Sequence, residues 1–193
     1  FLIMPFSQSS QLSIIVGFME TTQPQSVLDV GVGFGQYGFL ARTNLEHINL
    51  FEVNGAKARK RSKEEWRVII DGIEGFAPYI TPVHEYAYNN ILIGDALELL
   101  PKLESQYDLI LAIDILEHFD KEHGLTFLSM IKQLATKHVL LSTPKDFIEQ
   151  HEEANPYEDH RSHWVENELL DTGFTRILPN DDNWIAVHEV SDA

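Results

Sequence analysis

The stretch Ser26-Val27-Leu28-Asp29-Val30-Gly31-Val32-Gly33-Phe34-Gly35-Gln36-Tyr37-Gly38 constrains this chain more than any other. A short apolar, β-branched run leads directly into glycines at alternate positions. Glycine is required where backbone turns through conformations that a Cβ forbids, or where a ligand lies against the main chain. A buried strand that ends in such a turn and opens a helix starts an α/β unit, with its ligand at the strand's carboxyl end. The spacing here is G-x-G-x-G. The dinucleotide fingerprint G-x-G-x-x-G needs its third glycine where this chain has Gln36.

The rest of the chain repeats the same alternation. Arg67 to Ile73, Asn90 to Ile93, Tyr107 to Ile113 and His138 to Ser142 are further short apolar runs. Between them lie segments with helical spacing. Leu125, Leu128, Ile131 and Leu134 follow Asp120, an N-cap candidate, and Trp164 to Leu170 is closed by Gly173. Strand and helix in alternation predict a doubly wound, mostly parallel sheet covered on both faces. Phe174 to Leu178 and Trp184 to Val190 are joined too closely for a parallel crossover, so the C-terminal strand is expected to be antiparallel. With no repeat and no linker, 193 residues read as one domain, 1–193, with an N-terminal helix over 1–22 leading into the core. Six of the fourteen cationic residues fall in Lys57 to Arg67, within an insertion at about 52–66 that reads as a solvated helix or loop.

The glycine turn with Asp29 before it resembles the first motif of the class I S-adenosylmethionine-dependent methyltransferases. The later segments fit the same family in order, from about residue 26 to residue 190. The resemblance implies a seven-stranded sheet and S-adenosyl-L-methionine as cofactor, with S-adenosyl-L-homocysteine as product. It assigns Asp29, Gly31, Gly33 and Gly35 to the cofactor turn. It gives the ribose hydroxyls to Glu74, at the end of Val68-Ile69-Ile70-Asp71-Gly72-Ile73-Glu74, with Asp71 as second choice. Glu74 follows Gly31 by 43 residues, about twice the usual spacing of roughly 20, and the basic insertion fills the gap. Asp95 and the backbone of Ala96 are then expected at adenine, although Asp95 is equally suited to capping a helix. Tyr107 to Phe119 resembles the family's fourth-strand segment, with Asp114 and Ile115 bordering the methionine part and the methyl group.

The acceptor is less constrained. His118 follows the fourth strand, and His151 to Trp164 gathers His160, His163, Tyr157 and Arg161 where an acceptor would sit. His118, His160 and His163 are the candidate catalytic bases, each equally able to serve as a cap or brace. Arg161 suits a carboxylate or phosphate on the acceptor. His151, Glu152, Asp159 and His160 match no recognised ligand spacing, so no metal is expected. Thirty acidic residues against fourteen basic ones give a net charge of −16, which repels nucleic acid and anionic lipid. Zero cysteines exclude thiolate zinc sites and a cysteine nucleophile. Without a basic leader or a long apolar run, the chain is expected to be cytoplasmic and off the membrane. The function expected is methyl transfer to an oxygen or nitrogen of a small molecule. The alternatives are a catalytically silent methyltransferase-like subunit that binds a partner protein, and a nucleotide-dependent oxidoreductase.

Overall fold

The computed structural model describes residues 7–191. In chain order the strands are β1 (Ser26–Val30), β2 (Phe51–Asn54), β3 (Lys57–Lys60), β4 (Ile69–Glu74), β5 (Asn90–Ile93), β6 (Tyr107–Ile113), β7 (Ala135–Pro144), β8 (Arg176–Leu178) and β9 (Asn183–Glu189). The helices are α1 (Leu12–Thr22), α2 (Gln36–Leu45), α3 (Pro82–Ala87), α4 (Ala96–Leu99), α5 (Lys121–Leu134) and α6 (Glu166–Asp171). Seven strands form one sheet in the order β5-β4-β1-β6-β7-β9-β8. β5, β4, β1, β6 and β7 pair in parallel, and β9 runs antiparallel to both its neighbours, as the short link before it requires.

Alternation along the central strands explains the two-sided packing. Leu28, Val30, Ile110 and Ala112 point into a core with Phe127, Leu128 and Ile131 of α5 and with Trp164. Val27, Leu109 and Leu111 point the other way, against Ile15 and Met19 of α1, Ala41 of α2 and Tyr88. Strands buried on both faces read as continuous apolar runs, which is why these were visible in the sequence. The strand order reverses beside β1, with β4 and β6 on either side. The carboxyl ends of these strands open a crevice there, and ligands of open α/β sheets bind in such a crevice.

Two expectations are corrected. Helix α1 starts at Leu12, after a 3-10 turn at Ser9–Gln11, with residues 7 and 8 outside any helix; residues 1–6 of the predicted 1–22 helix lie outside the described residues. The basic insertion is mainly a strand hairpin, followed by a short 3-10 turn at Lys63–Glu65. β2 and β3 form an exposed antiparallel hairpin, in which Arg59 pairs with Glu52 at 2.5 Å and Glu65 at 2.8 Å. Cross-strand ion pairing and backbone pairing support it in place of an apolar face. The chain leaves and re-enters the core at one point, where the Arg61 N–H donates to the Leu50 carbonyl (2.9 Å). Below that neck the fully buried Arg42 of α2 donates to the carbonyls of Val68 (2.7 Å) and Ala87 (2.9 Å), and Glu46 accepts from the N–H groups of Arg67 and Val68. The insertion is thereby spliced onto a locked core.

Candidate active site

A cavity of about 1140 Å³ lies at the carboxyl ends of β1, β4, β5 and β6, covered by the strap that follows β7. A second groove of about 530 Å³, between α1, α2 and α3, is lined by Leu12, Val16, Phe39, Leu40 and Val83 and has no titratable group. Titratable groups line the first.

The glycine turn forms one wall. Gly31, Gly33 and Gly35 have φ of +81°, +52° and +81°, the left-handed region that side chains avoid. A Cβ on Gly31 would lie 2.9 Å from Ile115 Cδ1. Gly31 and Gly33 line the cavity, with Glu74, Asp95, Ala96, Asp114 and Ile115. Gly35 and Asp29, also expected at the cofactor, lie behind this wall and do not line the cavity. Gly35 packs on the His84 ring, and His84 Nε2 sits 3.0 Å from the Gly33 carbonyl. Asp29 turns inward and accepts from Tyr88 Oη at 2.6 Å, while that oxygen accepts from the Gly38 N–H. Burial raises the Asp29 carboxyl to about 7, the Tyr88 hydrogen bond opposing. Asp71 is likewise occupied elsewhere, by Asn90 and Tyr107.

Glu74 ends β4, and its carboxylate accepts from the N–H groups of Gly33 (2.9 Å) and Phe76 (2.8 Å). Burial raises its pKa and those two donors lower it. Each oxygen keeps a lone pair for a further donor. Asp95 caps α4 by accepting from the Leu97 N–H at 2.8 Å through Oδ1 only, so capping and a place on the cavity wall coexist in one residue.

Asp114 has φ of +50°, an uncommon value outside glycine, and is clamped by several side-chain donors, Ser7 among them. Gln11 Nε2 (2.6 Å), Ser142 Oγ (2.9 Å) and Asn183 Nδ2 (2.9 Å) all reach its carboxylate. The amide oxygens at the far ends of this clamp, Gln11 Oε1 and Asn183 Oδ1, are buried with no hydrogen-bond partner among the described residues. Buried acceptors without a donor are rare, and two beside a carboxylate fit an ammonium group. Burial raises Asp114 against the pull of these donors.

The strap closes the other side. Ile148, Gln150, Tyr157, Glu158, His160 and Arg161 face the cavity. Tyr79 Oη donates to Glu158 (3.1 Å) and accepts from Asn155 Nδ2 (3.1 Å), and the Tyr157 ring lies over Gly75, where a Cβ would meet it at 3.0 Å. His118 and His160 meet edge to face with centroids 5.0 Å apart. The carbonyls of Asp159 and Asp114 face the His118 ring, but burial and the neighbouring His160 still push it down to about 4, so it is neutral near pH 7. His163 is off this wall: its Nε2 lies 2.7 Å from the Lys145 carbonyl, and its ring packs near Phe147. Glu117, to which the sequence motifs assign no role, is buried beside His118 and accepts from Thr143 Oγ1 at 3.0 Å. Its adjacency to His118 was visible in the sequence; its nearness to His160 was not.

No protein-family model matches the sequence, and no curated protein matches it either. Solved structures do match in shape. The magnesium protoporphyrin IX methyltransferase of Synechocystis, with bound SAH, aligns over 93% of this chain and 81% of its own, with TM-score 0.57 and 17% identity. The methyltransferase domain of a bacterial Hen1 aligns over 94% of this chain and 98% of its own, with TM-score 0.62 and 16% identity. An O-methyltransferase-like protein of Nostoc punctiforme aligns over 94% of this chain and 57% of its own, with TM-score 0.63 and 18% identity. The chain has the class I methyltransferase fold.

Proposed function

We propose that the chain transfers a methyl group from S-adenosylmethionine to an oxygen or nitrogen of a small molecule. The observation that carries this reading is the row of groups along one cavity: the glycine turn, Glu74, Asp95 and the Asp114 clamp. In this order they suit the parts of one elongated cofactor. Glu74 would accept from the ribose hydroxyls, and Asp95 with the Ala96 N–H would meet the adenine edge. The orphaned amide oxygens of Gln11 and Asn183, beside Asp114, would receive the α-ammonium group. The carboxylates of Glu74, Asp114, Glu117 and Glu158 around the cavity suit a ligand that carries a positive sulfonium.

The cofactor supplies an activated methyl group with a neutral thioether as its leaving group. The protein's task is then to hold nucleophile, methyl carbon and sulfur in line, and alignment of this kind is worth about 7–11 kcal/mol. A volume of about 1140 Å³ leaves room for an acceptor beside the cofactor, since single-ligand sites span roughly 300–1,000 Å³. Tyr79, Tyr157 and Phe119 would hold the acceptor's apolar part, with Arg161 at the rim for an anionic substituent. His118 and His160 are assigned to activating it. The acidic surface favours small acceptors over nucleic acid, and among the described residues no helix is long and apolar enough to cross a membrane.

Titration calorimetry tests the reading. Micromolar binding of S-adenosylmethionine and S-adenosylhomocysteine is expected, and none of NAD. In Glu74→Gln, which keeps the side chain's shape and loses its charge, affinity should fall about tenfold or more, since charge-assisted hydrogen bonds are worth about 1.5–3 kcal/mol. Equal affinity in a folded Glu74→Gln variant would remove the ribose assignment. Absence of binding in the native chain would leave the silent-subunit reading.

A further inference from the structure

We infer that Glu117, His118 and His160 form a binding site for one divalent transition-metal ion on the acceptor side of the cavity. One ligand atom from each residue, a carboxylate oxygen and two ring nitrogens, lies within 4.8 Å of the other two. Donors to a shared ion at about 2.0–2.2 Å stand closer together than this, so small side-chain rotations complete the set.

The surrounding hydrogen bonds prepare all three groups. His118 Nδ1 faces the Asp159 carbonyl at 3.2 Å, and His160 Nδ1 faces the Ile148 carbonyl at 2.6 Å. A carbonyl only accepts, so Nδ1 of each ring carries the proton and donates it, leaving the Nε2 lone pair for a ligand. Metal-binding histidines are oriented in this way, with the outer N–H held by a carbonyl or carboxylate. Glu117 is fixed through Oε2 by Thr143, which leaves Oε1 open. Its backbone carbonyl accepts from the N–H groups of Arg161 (2.8 Å) and Ser162 (3.1 Å), on the strap that carries His160. The two segments that supply the ligands are therefore bolted together at the ligands themselves.

Burial and ligand type point the same way. Glu117 is only 4% exposed. Arg161, on the adjoining strap, is exposed and turns one guanidinium nitrogen to the Pro156 carbonyl and Asp159 rather than to Glu117. Two imidazoles and one carboxylate suit zinc, manganese, iron or cobalt better than calcium or magnesium. All three residues line the cavity, so the ion's remaining positions open toward the acceptor.

The ion's role rests on the methyltransferase reading and narrows its acceptor to a hydroxyl compound. A hydroxyl on an open position would be acidified and give its proton to solvent water. Its oxygen would then form the new bond to the methyl carbon, while the carbon–sulfur bond breaks and its electron pair stays with sulfur.

Cobalt(II) alone, titrated into the full chain without cofactor and followed by visible absorption and calorimetry, tests the site. One saturable ion per chain is expected. Binding should weaken tenfold or more in His160→Ala and in Glu117→Gln, and stay unchanged in His47→Ala, whose ring is exposed and remote in sequence from all three ligands. Circular dichroism verifies the fold of each variant, and His160→Ala, on the strap, spares the buried Glu117. Absence of stoichiometric binding, or binding indifferent to a folded His160→Ala, overturns the proposal. S-adenosylhomocysteine affinity measured on the same samples separates the two readings. Cobalt bound without the nucleoside would uphold the metal site and sink its role in methyl transfer.

Discussion

Asp29 stands behind the glycine turn, with its proton balance set by burial. Its folded pKa of about 7 lies above the unfolded value of about 3.9. Its contribution is complete below the unfolded value and is lost as pH rises toward and through 7, because the unfolded chain gives up the proton first. Asp29→Asn removes that loss. Measured by urea unfolding at pH 5 and pH 8, the variant's stability relative to the native chain should rise with pH by at least about 1.4 kcal/mol, the worth of one pKa unit. A difference independent of pH would contradict the account. At this scale the sequence was informative where a residue's place follows from a strand end. Gly31, Gly33, Glu74, Asp95 and Asp114 reach the cavity because their strands stop there. His160 and His163 lie three residues apart on an irregular strap, where no periodicity decides which of them faces inward. Asp29 was placed by its motif, but its side chain points along the strand's inward alternation, to Tyr88.

Elements lock through shape at this same turn. Tyr88, which follows α3, lies against both α2 and β4, and each gives it room with a glycine. A Cβ on Gly38 would come within 2.0 Å of Tyr88 Cζ, and a Cβ on Gly72 within 3.1 Å of Tyr88 Cε1. Gly38→Ala should cost about 1–3 kcal/mol, lowering the thermal midpoint by about 2–4 °C per kcal/mol. Gly17→Ala, in α1 with nothing within 4 Å of the added methyl, should hold or raise it. Thermal unfolding followed by circular dichroism compares the two, and equal shifts would discount the Tyr88 lock. The central strands were legible because burial on both faces leaves uninterrupted apolar runs. The β2–β3 hairpin was not read, although Asn54-Gly55 is a hairpin turn dipeptide, because Lys57-Ala58-Arg59-Lys60 shows no apolar face and its basic run reads as a solvated segment. Its order comes from Arg59 meeting Glu52 and Glu65, pairings between residues that sequence spacing alone does not bring together.

The whole molecule is a double-sided sheet with its candidate site at the carboxyl ends of its strands and its basic hairpin outside the core. Phe51 and Val53 on that hairpin are exposed, and Leu50 and Arg61 already meet at its neck. Replacing residues 51–60 by a short glycine–serine link should therefore shift the thermal midpoint by only a few degrees and leave cofactor affinity unchanged. A collapse in either would show that the hairpin supports the core. The most direct test of the central claim is a crystal structure of the full chain with S-adenosylhomocysteine. The account predicts the ligand along Gly31 and Gly33, its ribose on Glu74, its adenine at Asp95 and its ammonium group between the Gln11 and Asn183 amide oxygens. A ligand seated elsewhere, or a cavity that stays empty at saturating concentration, would contradict it.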